Sequence, residues 1–193
     1  MKTSTRRIGI STVLALVLCI NTMAQDITPD KPAFNRVRLS VGPDFGLPIG
    51  NFAGSYSWIF GGSVQADIPI FPGIFITATA GYKDAFVKNN EGTDFPGRNL
   101  QLIPVKAGLK YYVLSNLLYV QGQAGVTFLG NKSDAFADRS SGFTWSPQLG
   151  TSLKLTRTTY IDAGFYFEQT HSYWNTRTNL SMLGLRLAYS FGL

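Results

Sequence analysis

The stretch Leu183-Gly184-Leu185-Arg186-Leu187-Ala188-Tyr189-Ser190-Phe191 carries a large apolar side chain at every odd position and a small or polar one at every even position. Successive side chains of a β-strand point to opposite faces, so this period of two marks a strand with two unlike faces. Wound into a helix, the same residues would spread their apolar groups around the whole circumference.

Seven earlier runs keep the same period. Arg36–Phe45 sets Val37, Leu39, Val41 and Phe45 against Arg36, Arg38, Ser40 and Asp44. Trp58–Ile68 sets Phe60, Val64, Ala66 and Ile68 against Ser63, Gln65 and Asp67. Ile74–Tyr82 opposes Ile74, Ile76, Ala78 and Tyr82 to Thr77 and Thr79, and Ile103–Val113 opposes Ile103, Val105, Leu109 and Tyr111 to Lys106 and Lys110. Leu118–Phe128 separates Val120, Ala124, Val126 and Phe128 from Gln121, Gln123 and Thr127. Phe143–Leu155 separates Trp145, Leu149, Leu153 and Leu155 from Ser146, Gln148, Ser152 and Lys154. Tyr160–Glu168 separates Ile161, Ala163, Phe165 and Phe167 from Asp162, Tyr166 and Glu168. Every charged residue of the runs falls on the second face, and run lengths near ten match tilted membrane strands of about 9–11 residues.

The connections alternate in length. Pro69–Gly73, Leu114–Leu117 and Thr156–Thr159 are tight turns, whereas Gly46–Ser57, Asp84–Leu102, Leu129–Gly142 and Gln169–Met182 are long and rich in Gly, Asn, Asp, Ser and Thr. Short turns at one end and long loops at the other are the pattern of outer-membrane barrels, whose long loops lie outside the cell.

The first 24 residues differ in character. Lys2, Arg6 and Arg7 precede the apolar segment Ile8–Ile20, and Thr22 and Ala24 sit at −3 and −1 of a small-residue cleavage site. This is a secretory signal peptide, with a mature chain starting at Gln25. Residues 25–34, with Pro29 and Pro32, read as a periplasmic lead-in, and 35–193 as the barrel domain. The single cysteine, Cys19, follows Leu18 where a lipoprotein signal requires a small residue, so it leaves with the leader. Cleavage leaves 14 basic against 11 acidic residues, a net +3 where the whole chain has +6. The mature chain has no basic run of the nucleic-acid-binding kind.

Alternation alone does not say which face is inside. In a soluble, lipocalin-like carrier the apolar face would line the interior. A water-facing surface, however, carries about 25–35% charged residues, and here the polar face is mostly Gly, Ser, Thr, Gln and Tyr in a chain with only 15% charged residues. Trp58, Tyr82, Tyr111, Trp145 and Tyr189 lie near run ends on the apolar face, at the height of interfacial aromatic girdles. The expected architecture is therefore an all-β, eight-stranded antiparallel up-and-down transmembrane β-barrel, apolar outside. The polar face then lines a lumen just wide enough for side chains to fill. Arg38, Asp67, Lys106, Lys110, Asp162 and Arg186 are the expected lumen-lining residues, paired because unpaired buried charges are costly. Asp162 and Arg186 come from neighbouring strands, and closure brings Arg38 near them.

The segments Val41-Gly-Pro-Asp-Phe-Gly-Leu-Pro-Ile-Gly-Asn-Phe52, Phe60-Gly-Gly-Ser-Val-Gln65, Ile103-Pro-Val-Lys-Ala-Gly-Leu-Lys-Tyr-Tyr112 and Leu183-Gly-Leu-Arg-Leu-Ala-Tyr189 resemble the small outer-membrane β-barrel (porin-like) proteins of Gram-negative bacteria. The resemblance implies this fold and the cell outer membrane as its location, with outer-membrane lipid as surroundings. It also implies assembly by the barrel-assembly machinery. Gly184, Leu187 and Tyr189 fit the spacing of that machinery's C-terminal signal, although Met182 stands where a polar residue is usual and the chain ends in Leu193.

Some barrels of this kind modify lipid A with a His, a Ser and an acid at the rim. Glu168, His171 and Ser172 are the residues that such an enzyme would use here. Adjacent His171 and Ser172 on an extended chain point to opposite faces, which opposes a dyad. One histidine and no mature cysteine leave no metal-ligand set, and no phosphate- or dinucleotide-binding loop is present. Phe136, Phe143, Tyr173 and Trp174 supply aromatic side chains in or beside the loops, for interfacial anchoring or for a partner. The expectation is a non-enzymatic barrel without a cofactor, with a plugged polar lumen and ligand- or partner-contacting external loops. A lipid-A-modifying enzyme using His171 is the alternative.

Overall fold

The computed structural model describes residues 36–88, 99–114, 117–131, 139–156, 158–171, 173 and 179–193. The expected leader (1–24) and lead-in (25–34) lie outside these. Eight strands follow one another: β1 Arg38–Ile49, β2 Tyr56–Phe71, β3 Ile74–Val87, β4 Leu100–Leu114, β5 Leu118–Leu129, β6 Ser141–Lys154, β7 Thr159–Thr170 and β8 Leu180–Gly192. Each pairs antiparallel with the next, and β1 pairs with β8, closing the barrel. Closure removes the sheet edges whose unpaired backbone groups hydrocarbon would not tolerate.

The faces follow the parity of the sequence. Val41, Val64, Leu109, Leu149 and Phe165 point outward and are half or more exposed, while the even positions of β1 and β8 and the odd positions of β2 and β3 turn inward. The apolar face is thus the outer one, which excludes the lipocalin-like arrangement. Trp58, Tyr82 and Trp145 form an outer band toward the long connections, and Tyr111 and Tyr189 lie toward the short turns.

Two local features escape the period-two reading. The strands run 12 to 16 residues and extend into segments expected to be loop, such as Gly46–Ile49 and Leu100–Leu102. The β1–β2 connection, expected to be loop throughout, contains a single helical turn, α1 (Phe52–Ser55). It starts after Gly50, whose φ of 61° is the left-handed conformation that glycine adopts most easily. At the other end Gly73 (φ 82°) follows Pro72 in the β2–β3 turn, the residue order of a type II turn.

Polarity inverts where the strands outrun the membrane. Toward the long connections the outward positions become Asp84, Gln101, Ser141, Gln169 and Ser181, while the inward ones become Ile59, Ala85, Leu102, Leu129 and Met182. Tyr82 donates to Asp84 (3.0 Å) and Trp145 to Gln169 (3.0 Å), linking the aromatic band to the polar ring above it. Above the hydrocarbon the outer face meets water and headgroups, so the usual apolar-in, polar-out arrangement returns.

Three prolines interrupt the ladders. The β1–β8 register skips Gly42 and Pro43, that of β3–β4 skips Gly81 and Tyr82 opposite Pro104 and Ile103, and that of β6–β7 skips Ser146 and Pro147. Proline has no N–H to give, and a closed barrel offers no edge on which to hide that lack.

This orientation makes a test. Val105→Arg, at mid-height on the outer face, is expected to cost about 2–4 kcal/mol of folding stability in bilayers, measured by denaturant titration in vesicles. A water-facing site would shift by no more than about 0.5 kcal/mol.

Candidate functional site

The lumen is where the chain concentrates its charges. Arg38, Lys83, Lys106, Lys110 and Arg186 are buried there with Asp44, Asp67, Asp162 and Glu168, each less than a tenth exposed. Ions enclosed in a low-dielectric wall must be matched to be stable, and five cations against four carboxylates come close to balance.

The groups are sorted by height. Toward the short turns Lys110 Nζ meets Asp67 Oδ2 at 2.5 Å, and Gln65 Nε2 donates to Asp67 Oδ1 at 2.6 Å. Arg38 lies beside them with its guanidinium 4.2 Å above the Tyr160 ring, and it donates to the Tyr112 hydroxyl (3.2 Å). Asp162 Oδ2 accepts from Ser190 Oγ at 2.7 Å. At mid-height Arg186 donates through Nε to Ser63 (2.9 Å) and through Nη2 to Ser40 (3.0 Å), while Gln65, Thr79, Gln123 and Thr77 form a chain of hydrogen bonds across the wall. Higher still, Glu168 bridges Lys83 (2.9 Å) and Lys106 (2.5 Å), and the Tyr166 ring lies under both ammonium groups at 4.7 and 5.8 Å.

Tyrosines reach inward over glycines. A Cβ on Gly150 would collide with the Tyr119 ring, one on Gly164 with the Gln148 amide and the Tyr119 hydroxyl, and one on Gly184 with the Tyr166 ring. The missing side chains are what lets these rings lie flat against the inner wall, where Tyr119 accepts from Gln148 (2.8 Å).

An apolar layer covers the polar one at the end with the long connections. Ile59, Leu100, Leu102, Leu129, Leu180 and Met182 close together there, joined by Phe52 from α1 and Tyr173 from the β7–β8 connection. Tyr173 is fully buried and donates to the Thr127 carbonyl at 3.1 Å, so this loop aromatic serves neither as interfacial anchor nor as partner contact. Burial pushes its hydroxyl above the ordinary tyrosine pKa, keeping it a neutral donor. Phe136 and Trp174 lie outside the described residues.

All six expected lumen residues fall on the buried face. Their grouping differs from the expectation: Asp162, Arg186 and Arg38 each bond elsewhere, because the register sets Asp162 opposite Ala188 and Arg186 opposite Gly164. Lys154 is exposed, since it ends β6 at the rim. Among the buried charges, Asp44 and Glu168 were visible on the polar face but not singled out as lumen residues. Lys83 lay one residue beyond the expected end of its run, and its parity with Thr77 and Thr79 was the available signal.

The rim residues do not assemble a triad. Glu168 is spent on two lysines inside the barrel, whereas His171 is exposed outside, its ring 5.9 Å from that of Phe143. Ser172 lies outside the described residues. Among the described residues no three His, Cys, Asp or Glu side chains come together as a metal site.

A closed eight-stranded barrel with an apolar exterior and a charged interior is the architecture of a small integral outer-membrane protein. Residues 12–191 match the family model of the outer membrane protein beta-barrel domain, and the chain belongs to that family. It resides in the cell outer membrane. Among solved structures it is similar to Neisserial surface protein A (NspA), with 11% identity, 81% of this chain and 96% of that one covered, and a TM-score of 0.52. It is also similar to Ail, the attachment invasion locus protein of Yersinia pestis, at 11% identity, 81% and 99% coverage, and a TM-score of 0.50. These likenesses concern the fold. No curated protein matches the chain.

The central ion group yields a stability test. Glu168→Gln strands two buried ammonium groups and is expected to cost about 3–5 kcal/mol. Adding Lys83→Met and Lys106→Met to it should recover most of the loss in the same unfolding titration.

Proposed function

We propose that this protein is a non-enzymatic outer-membrane barrel whose lumen is a plug, and that its dealings with the outside are carried by the external loops. The observation that carries this reading is the space left inside. Asp44, Lys83, Lys106, Tyr166 and Arg186 surround a lumen cavity of only about 20 Å³, room for about one water molecule. Asp44 Oδ2 and the Tyr166 hydroxyl, which have no hydrogen-bond partner among the described residues, face it as the acceptor and donor that such a water would bridge. Among the described residues, ion pairs lie below this cavity and an apolar layer lies above it, which supports a plug.

The signal peptide and recognition by the barrel-assembly machinery belong to the same proposal. They are supported by the basic-apolar-small pattern of residues 1–24 and by Gly184, Leu187 and Tyr189 in the last strand. The enzyme alternative is disfavoured by the separation of Glu168 from His171 across the barrel wall.

Purified protein in planar bilayers is expected to give no current steps above an empty-bilayer control, and regular steps would refute the plug. Lipid A from a strain carrying His171→Ala is expected to match that of the parent. A difference in acylation would restore the enzyme.

A further inference from the structure

The outer wall carries a broad, open groove. It measures about 610 Å³ and runs across β4 to β7, with Leu109 and Tyr111 along one side, Phe165 and Phe167 along the other, and Gly122 and Pro147 as its floor. Gly122 and Pro147 are direct partners in the β5–β6 ladder. A Cβ placed on Gly122 would meet nothing within 4 Å, so the floor is low because side chains are missing there and not because neighbours crowd it.

The groove coincides with a weakness in the wall. Its floor adjoins the skipped pairs of the β6–β7 ladder, where Pro147 supplies no hydrogen. Gln148, an inward residue, lines both this groove and the interior cavity, so a single residue separates them. With fewer ladder bonds, the strands depend here on packing from both sides, and the inner side is already filled.

The groove rises from Tyr111 near the short turns to Phe167 near the long connections, and its lower end sets the leaflet from which an occupant would enter. Leu109, Tyr111 and Phe165 are about half exposed on the face that meets hydrocarbon. Tyr111 stands three residues before the end of β4, at the aromatic band near the short turns. Short turns of outer-membrane barrels lie on the periplasmic side, and that leaflet is phospholipid. We infer that the groove seats one acyl chain of a periplasmic-leaflet phospholipid, held as a fixed part of the wall over the β6–β7 interruption.

The test is native mass spectrometry of the detergent-purified barrel titrated with palmitoyl-oleoyl phosphatidylethanolamine. Wild type is expected to retain one lipid per barrel. Gly122→Phe, which fills the floor from an open position, should lose it, as should Leu109→Trp, which fills the groove from β4. Leu187→Phe, on the outer face of β8, should retain it, and heat-modifiable gel mobility identifies the variants that have folded. Wild type that retains no lipid overturns the inference. So does a folded groove variant that binds lipid as wild type does, or a second barrel copy bound in place of lipid. The conductance result of the plug is independent of all these outcomes.

Discussion

A chain crossing hydrocarbon has no water to satisfy its peptide groups, and each one left unpaired there costs several kcal/mol. Closing eight strands into a ring answers that constraint, and much else follows from the closure. A wall one residue thick sends every side chain either to lipid or to the lumen. A ring of eight leaves an interior that side chains fill, so whatever is placed inside must fit its neighbours in charge as well as in volume. The inward tyrosines over glycines, the Glu168 bridge between Lys83 and Lys106 and the Arg38 stack on Tyr160 are all solutions to that one confinement.

The same confinement explains what was legible in the sequence. Lipid tolerates no ambiguity of facing, so parity was written plainly in all eight strands, and all six residues expected in the lumen are buried. What the sequence reading lost lies at the ends, where the rule that writes the pattern changes. Above the hydrocarbon the outer residues become Asp84, Gln101 and Gln169 and the inner ones Leu102 and Met182, so strands expected to stop there continue with their polarity exchanged. Lys83 was missed for this reason. Phe52 and Tyr173 were illegible for another: their burial depends on how loops fold back over the mouth, which no periodicity encodes. Partner choice inside the lumen was equally hidden, because it is set by register between strands far apart in the chain. Arg186 bonding to Ser63 is such a case.

The proposed plug changes where function is to be sought. Among the described residues Lys83, Lys106 and Lys110 are paired with Glu168 and Asp67, and Phe52 and Tyr173 from two different connections join the apolar layer at the mouth. The surfaces left for interaction are the ones facing outward. The external connections meet the surroundings of the cell, and the barrel wall meets lipid along its whole circumference.

The three proline interruptions have a consequence for how the molecule is put together. They fall at β8–β1, β3–β4 and β6–β7, and the ladders between them run without a skipped pair through the body of each strand. The ring stays one closed sheet, and the seams divide it into three stretches of unbroken ladder, β1–β3, β4–β6 and β7–β8, each of sequence-adjacent strands joined by its own connections. Contacts close in sequence form with the least loss of chain entropy. Chain entropy thus favours pairing within each stretch ahead of pairing across a seam. The joint with the greatest separation in sequence, β8 to β1, is one of the three at which the ladder skips a proline.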